Sequence, residues 1–129
     1  MIVDTSALVA ILKNEPDQPV FLAALVADPH VKLSAATLFE FGMVMDKVRN
    51  PGMSAAVDRL LDQIEAEILP VTTEAASACR DAYRRFGKGN HPARLNFGDC
   101  FAYALAKELD EPLLFKGADF AQTDVRSAL

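Results

Sequence analysis

Met1-Ile2-Val3-Asp4-Thr5-Ser6-Ala7-Leu8 opens the chain with a short apolar strand that runs directly into a helix-forming segment, and a carboxylate stands at the junction. That is the first half of a βαβ unit, in which a buried parallel strand is followed by a crossover helix. The alternation continues downstream. Strand-like apolar stretches fall at Ile2-Val3, Lys32 to Ser34, Ile68 to Val71 and Leu113 to Phe115, with helix-period segments between them. The expected fold class is α/β with a short, mostly parallel sheet.

Turn residues punctuate the helices. Thr5 to Leu12 follows the first strand, and Pro16 to Ala27 reads as another helix stopped by Pro29. Leu38, Phe41, Met45 and Val48 form a stripe that Asn50-Pro51-Gly52 ends, and Val57, Leu60, Leu61 and Ile64 mark a helix after Ser54. Ala76, Cys79, Tyr83 and Phe86 lead to Gly87, and Ala102, Leu105, Ala106 and Leu109 stop before Pro112. Each stripe is expected to pack on the sheet without a chemical role. Gly87 to Pro92 reads as a mobile loop.

With 129 residues, 51% of them hydrophobic, the chain fits one domain, spanning residues 1–129. Its two cysteines, Cys79 and Cys100, have neither disulfide-framework nor zinc spacing. The first residues lack a basic signal-peptide region, and no apolar run approaches the roughly 20 residues of a membrane span. A cytoplasmic protein without membrane association is expected. The net charge of -5 weighs against nucleic acid. Locally, however, Arg80, Arg84, Arg85, Lys88 and Arg94 face only Asp81.

Taken singly, the acids have ordinary structural explanations. Asp4 and Asp99 stand where helix caps stand, and Thr37-Leu38-Phe39-Glu40 matches a capping box. Asp119 and Asp124 fit solvated loops. Their joint placement is more informative, because open parallel sheets gather ligands at the carboxyl ends of their strands. Asp4 and Asp119 follow strands, Glu40 lies in the helix after the second strand, and Asp99 begins a helix that leads back to another. Carboxylates about 4 Å apart repel by roughly 4 kcal/mol at an effective dielectric near 20. A bound cation relieves that cost, and hard oxygen ligands suit Mg²⁺ or Mn²⁺. Such ions share phosphate oxygens, so phosphodiester hydrolysis is the chemistry expected.

Ile2 to Leu8, the Glu40 segment, Phe97-Gly98-Asp99-Cys100-Phe101-Ala102-Tyr103-Ala104-Leu105-Ala106 and Leu113-Leu114-Phe115-Lys116-Gly117-Ala118-Asp119-Phe120 resemble VapC-type toxins of the PIN family in order and spacing. The likeness runs over nearly the whole chain. It implies a three-layer α/β/α sandwich, Mg²⁺-dependent endoribonuclease activity as the toxin of a type II toxin–antitoxin system, dimerisation, and inhibition by a cognate antitoxin. Carried over by position, Asp4 and Asp99 are the principal metal ligands, with Glu40 a third acid and Asp119 a fourth. Relatives often carry two acids before the Phe of the last segment, where this chain has Ala118-Asp119, and Asp124 is the alternative source of charge.

Thr5 and Ser6 stand where a second shell would hydrogen-bond an acid or a metal-bound water, or simply cap the helix. Asn96 has the same two readings. Arg80 and Arg84, one helical turn apart, with Lys88, Arg94 and Lys116, are the candidate RNA-backbone track or a solvated face. An aspartate-based phosphatase would carry Asp-x-Asp after the first strand, where Ser6 stands instead. A phosphoacceptor domain needs an Asp after Val71, where Thr72 and Thr73 stand. A PIN-like nuclease of RNA processing, or an inactive PIN-like binding module, keeps the same fold. The four acids weigh against the inactive module.

Overall fold

The computed structural model describes residues 1–129. Its elements run β1 (Ile2–Val3), α1 (Thr5–Leu12), α2 (Gln18–Ala27), β2 (Lys32–Ser34), α3 (Ala35–Asp46), α4 (Pro51–Gln63), β3 (Glu67–Leu69), α5 (Thr73–Phe86), α6 (Phe97–Glu108) and β4 (Leu113–Leu114), then a 3-10 turn at Phe120–Gln122. The strands form one four-stranded sheet in the order β3-β2-β1-β4, and every pairing is parallel. Register pairs Ile2 with Lys32 on one side and with Leu113 on the other.

Side chains alternate between the faces of a strand, so the dipeptides Ile2-Val3 and Leu113-Leu114 each serve two cores. Val3 and Leu114 join Ala7, Leu8, Phe21, Leu25, Phe41, Met45, Val57 and Leu60 beneath α1 to α4. Ile2 and Leu113 join Ala82, Phe86, Leu95, Cys100, Ala102, Tyr103 and Phe120 beneath α5 and α6. Helices on both faces of a parallel sheet make the three-layer sandwich. β1 has a neighbour on each side and helices over both faces, which is why it reads as an apolar pair with no polar alternation.

Several boundaries move for physical reasons. β3 ends at Leu69 and does not reach Val71, because Pro70 has no N–H to give a ladder. Asn50-Pro51-Gly52 ends one helix and starts the next: the Asn50 side chain accepts from Gly52 N at 2.9 Å, and Pro51 takes the first turn, where its missing N–H costs nothing. The helix expected after Ser54 therefore begins at Pro51. Thr37 is not a cap, since Ser34 holds that place for α3 and accepts from Ala36 N. The loop from Gly87 is tied down. Lys88 N donates to Leu95 O, His91 N donates to Gly87 O, and the His91 ring packs edge-on against Phe86.

The α5 stripe also departs from expectation. Ala82 and Phe86 are buried, whereas Tyr83 is 43% exposed and Ala76 faces solvent. Packing of α5 against α6, and not against the sheet alone, decides which side of α5 is covered.

Candidate active site

Asp4 leaves β1 in an extended conformation and caps α1, as its place in the sequence suggested. Its Oδ2 accepts from Ser6 N at 2.9 Å and from Ser6 Oγ at 2.6 Å. Its other oxygen, Oδ1, is buried with no hydrogen-bond partner, on a residue only 3% exposed. A buried carboxylate oxygen left bare is costly unless something cationic or donating meets it. Burial pushes the Asp4 carboxyl above its ordinary value, the Ser6 hydrogen bonds oppose that rise, and the Glu40 charge adds to it.

Glu40 reaches this point from α3. Thr5 Oγ1 donates to Glu40 Oε2 at 2.6 Å, which joins the first turn of α1 to the second acid. Glu40 also lies against Gly98, where an added Cβ would stand 2.6 Å from the Glu40 Cδ. Gly98 is thus the residue that lets α3 and the start of α6 approach. Its place directly before Asp99 was visible in the sequence, but the reason for it required the tertiary contact.

Asp99 is positioned by a reciprocal cap. Asn96 N donates to Asp99 Oδ2 at 2.7 Å, and Asp99 N donates to Asn96 Oδ1 at 3.0 Å. The pairing fixes one carboxylate oxygen and leaves the other uncommitted. Burial raises the Asp99 carboxyl to about 6; the Asn96 backbone opposes the shift, and the charges of Asp4, Glu40 and Asp119 reinforce it. Asp119 is exposed at the entrance to the 3-10 turn and makes no capping bond. Lys116 N donates to Ser6 Oγ at 2.9 Å, which ties the segment after β4 to the Asp4 turn.

The structure thus brings Asp4, Glu40 and Asp99 within electrostatic reach of one another, and Asp119 within reach of Asp99. No group of three or more His, Cys, Asp or Glu side chains lies close enough together to hold a metal ion. An open site of one or two carboxylates, with an unsatisfied oxygen at its base, fits a hard divalent ion that keeps water and shares phosphate oxygens. Asp124 stands elsewhere. It accepts from the Tyr103 hydroxyl, pairs with Arg85 at 2.9 Å and approaches Lys107. The alternative of Asp124 charging the site is therefore corrected: its cationic partners already neutralise it.

The candidate cations divide. Arg84 is paired with Asp81 at 2.7 Å, and Lys116 Nζ is held by Glu15 at 2.7 Å and Asp17 at 3.0 Å. Arg80, Lys88 and Arg94 are exposed and enter no ion pair. Arg80 lines one cavity with Cys79 and Tyr83.

A parallel sheet of order β3-β2-β1-β4 with helices on both faces places the chain among three-layer α/β domains, and the PIN domain model matches residues 1–126. The chain belongs to the PIN domain family. Ribonuclease VapC28 of Mycobacterium tuberculosis is 49% identical over 130 residues, covering 100% of this chain and 98% of its own. Ribonuclease VapC42 of the same organism is 45% identical over 129 residues, covering 99% and 98%. Among solved structures, the M. tuberculosis VapC20 toxin, described as cleaving the sarcin-ricin loop, superposes with a TM-score of 0.76 at 17% identity over 97% of this chain and 98% of its own. A toxin–antitoxin complex from Klebsiella pneumoniae gives 0.72 at 17% identity, over 95% and 92%.

Proposed function

We propose that the chain is a metal-dependent endoribonuclease, with Mg²⁺ as its ion and Mn²⁺ able to replace it, and that it is the toxin of a type II toxin–antitoxin pair. The observation that carries the site assignment is the bare, buried Asp4 Oδ1 beside Glu40 and Asp99. Full-length likeness to proteins named VapC ribonuclease supports the activity.

Asp4 and Asp99 hold the ion, which when bound supplies Lewis acidity and charge stabilisation at the scissile phosphate. Ser6 fixes the Asp4 carboxylate through two bonds to one oxygen, so the other points into the site. Thr5 orients Glu40, and Glu40 accepts a proton from the attacking water. Asp119 sits at the solvent edge, where its charge completes the acidic rim. Arg80, Lys88 and Arg94 supply phosphate contacts; Arg84 and Lys116, already paired, supply fewer.

The antitoxin reading is supported by the VapC relatives, and an acidic rim suits a basic antitoxin segment. A homodimer in the cytoplasm completes the proposal. No helix is long and apolar enough to cross a membrane. Incubating the purified protein with total RNA, with and without Mg²⁺, and mapping the new ends tests the whole reading. Mg²⁺-dependent ends are expected. Cleavage that survives chelation would remove the metal assignment, and no cleavage in either buffer would remove the nuclease.

A further inference from the structure

Between α5 and α6 lies a cavity of about 620 Å³, within the range of small-ligand pockets. It is not part of the acidic rim. Tyr83, Phe97 and Phe101 give it aromatic walls, and Arg80, Lys88 and Asn96 give it a polar margin. Phe97 is 80% exposed although it opens the very helix that carries Asp99, and it meets Phe101 edge-to-face at 5.0 Å. Tyr83 is held in place from behind. Its hydroxyl donates to Lys88 O at 3.1 Å, and Gly87 packs so closely that an added Cβ would meet both the Tyr83 backbone oxygen and, at 2.7 Å, the ring.

Rigid, solvent-facing rings beside unpaired cations are the parts of a single-stranded nucleic-acid site: every base has a face to stack, and the cations take its phosphates. Charge complementarity favours this occupant, because Arg80 and Lys88 are unpaired in a chain of net charge -5. We infer that this cavity is a nucleotide subsite, in which Phe97 and Tyr83 stack a base of single-stranded RNA while Arg80 and Lys88 hold the adjoining phosphate. It rests on the ribonuclease reading and deepens it, by assigning where substrate next to the scissile bond is gripped. Asn96 joins the two sites, since it lines the cavity and caps Asp99. Phe97 and Asp99 stand two residues apart in the first turn of α6, so the cavity and the Asp99 carboxyl flank the same helix start.

The test uses the full chain with Asp99→Asn, and a short single-stranded RNA labelled for fluorescence anisotropy. Phe97→Ala and Tyr83→Ala are each expected to weaken binding about tenfold, and Phe97→Trp to keep it, as stacking requires. An RNA lacking one base at the gripped position should bind as weakly as Phe97→Ala binds intact RNA, with little further loss when the two changes are combined. Unchanged affinity in both alanine variants overturns the subsite. So does a Phe97→Ala variant whose RNA affinity is normal while its dimer dissociates, which would make the cavity an interface between copies. The two readings fail separately: cleavage by the native chain together with unaltered variant affinity removes the subsite alone. Phe97-dependent RNA binding with no cleavage by the native chain removes the nuclease and keeps the subsite.

Discussion

At the scale of single residues, Asp4, Glu40 and Asp99 are each held by one carboxylate oxygen. Ser6 commits Asp4 Oδ2, Asn96 commits Asp99 Oδ2, and Thr5 commits Glu40 Oε2. Asp4→Ala or Asp99→Ala is expected to abolish Mg²⁺-dependent cleavage without unfolding the protein, since each removes repulsion as well as a ligand. Circular dichroism and an RNA cleavage assay check this, and wild-type turnover in either variant would sink the metal assignment. Gly98→Ala gives a sharper separation. The added methyl meets the end of the Glu40 side chain, which can swing away at little cost to stability, so activity should fall at least tenfold while the Tm barely moves. The Asp99 carboxyl, raised to about 6 from 3.8, makes the metal-free fold bind more protons than the unfolded chain between those values. Metal-free stability should therefore decline as pH rises from about 4 through 6. Chemical denaturation across that window should show the decline, and Asp99→Asn or saturating Mg²⁺ should flatten it.

At the scale of elements, helix starts carry the site. α1 begins at Asp4, directly after β1, and α6 begins with the Asn96–Asp99 pair, so the local chemistry of caps also fixes both carboxylates. Asn96→Ala should cost about 1 kcal/mol of stability, as lost caps do, and should also reduce cleavage because Asp99 loses its partner. The surface network of Asp124 with Tyr103, Arg85 and Lys107 secures the segment after β4 to α5 and α6. Asp124→Asn is expected to lower stability by less than about 1 kcal/mol and to leave cleavage untouched. A loss of activity there would return Asp124 to the site. Thr37-x-x-Glu40 shows the limit of local motifs. It has the spacing of a capping box, yet α3 starts at Ser34 and Glu40 turns to Thr5, because the partner brought by the fold outcompetes the one offered by sequence.

At the scale of the whole molecule, an acidic protein must bind RNA through the few cations its own acids leave free. Arg80→Ala should flatten the slope of log RNA affinity against log salt by about one unit, and Arg84→Ala, already paired with Asp81, by much less. Measured in an Asp99→Asn background, equal effects of the two would mean that the ion pair opens on binding. Strand dipeptides, turn residues and the carboxylates after strands were legible in the chain because parallel strands must be apolar on both faces and helices must be capped. That determined the α/β class, the four strands, and Asp4, Glu40, Asp99 and Asp119 as the acids to watch. The tertiary structure alone decided that Glu40 lies over Gly98, that Asp124 belongs to a surface network, that Arg84 and Lys116 are neutralised, and that Phe97 and Tyr83 stay open to solvent. Periodicity says which side of a helix is apolar. Which part of that side is covered depends on neighbours far away in sequence, and α5 and α6 meet at an angle and offset that no local pattern encodes.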